Sequence, residues 1–213
     1  MTDNRKITFI LCTNDPVRCR ECVSYIGRLS VPDGFSVHIL TVENASGICC
    51  AYNRGMEESG AGYKVYLHQD TFIINRSFLP DMISCFERHP KAGMIGMIGR
   101  KNFANRERFY QNEPFGALYE TRTDRTVRYY NYSRKDDERV LHLDGLLLMT
   151  CTDIPWREDL FDGWHLYDVS QSLEMIRAGY ELYVPYMENP WALHDSGVLS
   201  VRDYAVYTDR AAE

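Results

Sequence analysis

The sequence predicts an α/β protein in which a mostly parallel sheet is flanked by helices within a single domain. Over the first hundred residues, short apolar runs alternate with segments of helical periodicity. The runs are continuous rather than alternately apolar and polar, as expected of strands buried on both faces. The chain of 213 residues is 45% apolar, enough for one sizeable core.

ITFILC (Ile7–Cys12) is the first expected strand, and TNDP turns the chain. VRCRECVSYIGRLSV has helical spacing, and FSVHILTV (Phe35–Val42) is a second strand that ends in ENASG. ICCAYNRGMEESGAG is a helix stopped by its glycines. KVYLHQD is a third strand, SFLPDMISCFERHP a helix bounded by prolines, and AGMIGMIG a fourth strand. Residues 101–140 are polar and rich in Arg and Tyr, with GALYET and TVRYYN expected to pair as a hairpin. HLDGLLLMT (His142–Thr150) is a further buried strand, VSQSLEMIRAGY a helix and ELYVPY a strand. WALHDSG (Trp191–Gly197) and a short last helix close the chain.

Strand–helix alternation implies parallel strands joined by right-handed crossovers, with a ligand site beyond their carboxyl ends. Three polar clusters fall there: Thr13-Asn14-Asp15, Glu43-Asn44-Ala45-Ser46 and His68-Gln69-Asp70. Asp70 and the Gln69 amide oxygen are hard oxygen ligands, and imidazole suits Mn²⁺ tolerably. A cation held by few protein groups has room for a diphosphate. The same Asp70 can instead cap a turn, and His68 can be a satisfied core histidine.

Composition narrows the class. The net charge of −6 argues against a nucleic-acid binder. Seven cysteines, an odd number, and an N-terminus running straight into a strand lead us to expect a reducing cytoplasm with no leader peptide. Cys19 and Cys22 form one C-x-x-C without a second pair, so buried thiols are the simpler reading than a zinc site. No run of about 18 apolar residues is present, so no transmembrane segment is expected.

The ordered series V-E-N-A-S, A-Y-N-R-G and a strand ending in H-Q-D resembles the nucleotide-sugar half of family 2 glycosyltransferases. D-G-L-L-L-M, L-F-D-G-W-H-L-Y-D-V-S-Q-S-L, R-A-G-Y and H-D-S-G resemble that family's downstream half. H-Q-D in place of Asp-x-Asp is similar to a bacterial glycosyltransferase-like subfamily of small proteins. The resemblance covers most of residues 7–197. It implies a glycosyltransferase A fold with a Rossmann-like sheet, a nucleotide-diphosphate sugar donor (UDP-linked in the first instance), and Mn²⁺ or Mg²⁺. Residues 1–100 would bind the nucleotide sugar, and 101–213 would hold the acceptor and the catalytic group.

By position, the resemblance puts Thr13, Asn14, Glu43, Asn53 and Gln69 at the nucleotide. Asp70, with His68 and His194, would hold the metal. Asp168 would be the catalytic base, and Trp164, His165 and Tyr167 would meet an acceptor glycan or lipid-linked acceptor. Each has a plainer role beside it: a turn residue at Glu43, a brace at Asn53, a helix N-cap at Asp168, a surface pair at His194-Asp195, a core ring at Trp164.

His68 replaces the family's first aspartate, which removes a charge from the expected metal site. The cations Arg100, Lys101, Arg106 and Arg108 lie where a loop could close over a diphosphate. The expected activity is sugar transfer with inversion. The alternative is a non-catalytic sugar- or nucleotide-binding module on the same scaffold. A nucleotidyltransferase is a third reading, without a Gly-rich phosphate loop to support it.

Overall fold

A computed structural model of the chain describes residues 2–102, 114–122, 127–132 and 134–197. The expected closing helix, Arg106 and Arg108 lie outside the described residues. The fold is the expected one: a mixed α/β domain with a central sheet flanked by helices.

The first strand, β1 (Asp3–Thr13), extends the apolar run at both ends. Asp15 accepts from the backbone N–H groups of Val17 and Arg18, and Pro16 opens α1 (Pro16–Ile26). Strand β2 (Ser36–Glu43) leads to α2 (Ile48–Ser59), which ends where Gly60 takes φ 56°. Then follow β3 (Ala61–His68), the short β4 (Thr71–Ile73) and α3 (Phe78–Arg88).

Two expected strands are each divided between two sheets. AGMIGMIG becomes β5 (Ala92–Gly96) and β6 (Ile98–Arg100), and HLDGLLLMT becomes β10 (His142–Leu143) and β11 (Leu147–Thr150). Between these lie the expected hairpin, β7 (Phe115–Arg122) with β8 (Val127–Asn131), and β9 (Glu138–Val140). The chain closes with α4 (Tyr167–Arg177), β12 (Glu181–Val184) and β13 (Ala192–Gly197).

The larger sheet has the order β2-β1-β3-β11-β5-β12-β9. Five of its strands run one way, while β11 and β9 run against them. Apolar continuity carries no sign of direction, so the reversal of β11 was not expected. It follows from where the chain comes from: β10 lies at the carboxyl edge of the sheet, and β11 enters from there. The smaller sheet, β10-β6-β7-β13-β4, adjoins this edge.

Side-chain alternation along β3 assigns the helices to faces. Tyr66 meets Tyr52 of α2 at 4.9 Å, and Tyr52 meets Tyr167 of α4 at 6.0 Å. Tyr63, of opposite parity, meets Phe86 of α3 at 5.8 Å. Helices α2 and α4 therefore cover one face and α3 the other. The strands between them, with Phe9, Ile10, Val65, Leu67, Ile95 and Leu148, are fully buried.

Candidate active site

Register brings the polar strand ends together. Thr13 pairs with Glu43 across β1 and β2, and Cys12 pairs with His68 across β1 and β3. Gln69 locks this edge. Its amide oxygen accepts from the Thr13 hydroxyl at 2.7 Å and from the N–H groups of Asn14 and Asp15 at 3.0 and 2.9 Å. Its amide nitrogen donates to Asn14 Oδ1 at 2.5 Å. With three donors on one amide oxygen, Gln69 fixes the backbone of this sheet edge rather than offering that oxygen to a cation.

Beyond β3 the chain turns at Gln69-Asp70 into β4, which pairs with β13. This pairing carries His194 to Asp70: His194 Nε2 stands 3.5 Å from Asp70 Oδ1. His68 Nδ1 stands 4.0 Å from the same oxygen. Asp70 Oδ2 faces the guanidinium of Arg18 at 3.8 Å. One carboxylate oxygen and two imidazole nitrogens thus lie within 4.8 Å of one another. Asp70 Oδ1 is buried without a hydrogen-bond partner among the described residues. A buried orphan carboxylate oxygen flanked by two imidazoles fits a divalent cation.

The charges agree with that fit at Asp70 and His68, whereas His194 has to give up the proton that Asp70 favours before it can ligate. Burial pushes the Asp70 carboxyl up, but His194 and His68 outweigh it and hold Asp70 below the usual carboxylate value. Burial lowers His68, with His194 adding to the effect against Asp70 and Asp144, so its imidazole is neutral at pH 7. Burial acts the same way on His194, yet its interaction with Asp70 holds it above the ordinary value.

Asp168 lies in the first turn of α4, after Leu166 in the left-handed region at φ 61°. Its two oxygens accept from Val169 N–H at 2.9 Å and Gly145 N–H at 3.1 Å. Burial and the nearby Asp144 raise its carboxyl to about 7, against these two N–H groups. A carboxyl so tuned exchanges a proton near neutral pH. Strand β11 holds Gly145 at this edge, because His68 N–H donates to Leu146 C=O at 3.1 Å.

The remaining expected residues divide. Glu43 is exposed at the tip of β2, beside the α2 entry. Gly47 there packs on the backbone of Asp162 and Gly163, where a Cβ would come within 2.5 Å of a carbonyl oxygen. Asn53 points elsewhere: it donates to Trp156 C=O at 2.9 Å and accepts from Trp156 N–H at 2.8 Å. Both ends of its amide are thus spent on one backbone unit. Trp164 is 48% exposed, but Tyr167 is 4% exposed and bonds His68 through its hydroxyl at 2.5 Å. Of the three residues expected at an acceptor, Trp164 and His165 are thus at least partly accessible, and Tyr167 is not. Lys101 pairs with Glu138 at 2.6 Å and lies over the Phe115 ring at 4.5 Å.

Arg18 was not singled out from the sequence, and Asp144 and Gly145 entered only as the start of D-G-L-L-L-M, without roles of their own. The Asp-Gly pair interrupting an apolar run was a usable signal. The role of Arg18 depends on the rotation of α1, which the sequence does not display.

The family described as "Glycosyltransferase like family" matches residues 8–213. No curated protein matches the sequence. Among solved structures, the chain is similar to S. aureus TarS 1-349 in complex with UDP, at 11% identity and TM-score 0.60, covering 97% of this chain and 64% of that one. TarS 1-349 in complex with UDP-GlcNAc is similar at 10% identity and TM-score 0.59, covering 90% and 58%. The mannosyltransferase PcManGT from Pyrobaculum calidifontis, in complex with GDP-Man and Mn²⁺, gives 14% identity and TM-score 0.55, covering 99% and 62%. The chain spans less than two thirds of the length of each of these.

Proposed function

We propose that this chain, which belongs to the glycosyltransferase-like family, transfers a sugar from a nucleoside-diphosphate donor to a hydroxyl acceptor with inversion at the anomeric carbon. One observation carries the reading: the orphaned Asp70 oxygen between His68 and His194 lies at the same sheet edge as the Asp168 turn. The TarS structures with UDP and UDP-GlcNAc support a uridine donor by likeness of fold.

The nucleotide would lie along the ends of β1 and β2, on the Gln69-locked backbone of Asn14 and Asp15, with Glu43 accepting from the base. Asp70, His68 and His194 would hold a divalent cation. When bound, that ion supplies positive charge for the departing diphosphate. Two imidazoles and a single carboxylate suit Mn²⁺ better than Mg²⁺, which prefers all-oxygen shells. Asp168 takes the proton of the acceptor hydroxyl as its oxygen bonds to the anomeric carbon and the bond to the diphosphate oxygen breaks. Trp164 offers an aromatic face to the acceptor.

Calorimetry with UDP, with and without Mn²⁺, and an assay for UDP release from UDP-sugars test this. We expect UDP binding strengthened by Mn²⁺ more than by Mg²⁺, and lost in Asp70→Ala. Absence of binding, or binding indifferent to Asp70→Ala, overturns the reading. Binding without turnover against any acceptor favours the non-catalytic module that the neutral His68 also suits.

A further inference from the structure

We propose that Tyr167 is a positioning residue that fixes His68 as a cation ligand; this rests on the cation reading of Asp70, His68 and His194 above. His68 has two ring nitrogens with different surroundings. Nε2 meets the Tyr167 hydroxyl at 2.5 Å, while Nδ1 faces Asp70 Oδ1 at 4.0 Å. The hydrogen bond at one nitrogen of a histidine sets which nitrogen keeps a lone pair. A cation on Nδ1 requires the ring hydrogen to sit on Nε2, where the Tyr167 oxygen is placed to accept it, leaving the Nδ1 lone pair facing the space beside the orphaned carboxylate oxygen.

The position of Tyr167 is fixed from several sides at once. Leu166 takes a left-handed conformation immediately before it, an unusual geometry for a leucine that sets the angle at which the helix starts. Its ring packs at 6.0 Å from both Tyr52 and Trp156, two fully buried rings. Gly145 leaves room for its hydroxyl, since a Cβ at 145 would run into that oxygen. A phenol fully enclosed in a core normally finds one partner for its hydroxyl. The partner here is a residue of the candidate cation site rather than a neighbouring carbonyl. His68 is also where the sequence departs from the family's aspartate. A carboxylate needs no choice of ring nitrogen, whereas an imidazole does, and the Tyr167 oxygen stands where it can hold the Nε2 hydrogen of the ligating tautomer. Tyr167 is adjacent in the chain to Asp168, so the same helical turn sets the proposed ligand and the proposed base.

The test is Mn²⁺ binding to the full chain, followed by electron paramagnetic resonance titration and by the nitrogen couplings of the bound ion. Wild type, Tyr167→Phe, His68→Ala and the double variant are compared. Tyr167→Phe keeps the ring and loses only the hydroxyl, so circular dichroism should report a folded protein. We expect wild type to show two imidazole nitrogens on the ion. Tyr167→Phe should weaken Mn²⁺ binding about tenfold and diminish one nitrogen coupling. In the His68→Ala background, Tyr167→Phe should add no further loss, which a merely structural role would not produce. If wild type binds Mn²⁺ and Tyr167→Phe matches it in affinity and couplings, the positioning role is overturned while the cation site stands. If wild type binds no Mn²⁺, the site itself falls and the proposal with it. Should Tyr167→Phe fail to fold, Gly145→Ala, which crowds the hydroxyl with Tyr167 in place, is expected to weaken Mn²⁺ binding in the same way; unchanged binding overturns the role.

Discussion

Asp168 shows how a single side chain can serve the site at the expense of the fold. Burial and Asp144 raise its carboxyl to about 7, whereas in the unfolded chain it ionises near ~3.9. The folded state therefore holds a proton that the unfolded state has lost. Stability is full below the unfolded value and declines as pH rises towards 7. Asp168→Asn removes this penalty. We expect thermal unfolding at pH 8 to show the variant more stable by on the order of 4 kcal/mol, or roughly 10 °C, with little difference at pH 4. The same variant should lose UDP release from a sugar donor, and wild-type activity should fall as pH drops below 7. Equal melting temperatures at pH 8 would contradict the account. Much at this scale could be read in the sequence, because His68, Asp70, Asp168 and His194 each stand where a polar residue ends an apolar run or opens a helix. The exceptions are instructive. Asn53 and Gln69 are amides whose partners, Trp156 and residues 13–15, are brought to them only by the fold.

At the scale of elements, the bracket between Asn53 and Trp156 ties α2 to the segment that follows β11. Asn53→Ala would leave the buried N–H and C=O of Trp156 without their partners, at a cost of about 1–3 kcal/mol. Urea unfolding should record this loss, while calorimetry on the folded variant should find UDP affinity within twofold of wild type. A large loss of affinity at unchanged stability would return Asn53 to the nucleotide. Element identity was legible for the first hundred residues because each strand there is one apolar run closed by turn residues. The breaks at Met97 and at Asp144-Gly145 were less so. At Met97 the chain passes from one sheet to the other without leaving its apolar run and reads as one piece, whereas Asp144-Gly145 marks the second break. Direction was illegible because side-chain pattern assigns a strand's faces and not the way it runs. The place of β10 beside β6, at the carboxyl edge, decides that β11 opposes its neighbours.

Across the whole molecule, the site draws on both ends of the sequence. Asp70 comes from the first hundred residues, while His194, Asp168 and Gly145 come from the second, and β4 of the first part is paired to β13 of the second. We accordingly expect a fragment of residues 1–100 not to fold alone, read as poorly dispersed amide resonances in a proton–nitrogen spectrum; a well-dispersed spectrum would establish the first part as autonomous. The reason is the place of β11, wedged between β3 and β5 at the centre of the sheet. Until residue 150 has left the ribosome, the two strands it separates have nothing between them, and their buried, apolar edges are left unpaired. A nascent chain of this kind spends its synthesis with its middle open, so its yield in a cell should depend on chaperones that shield those edges until the last central strand slides in.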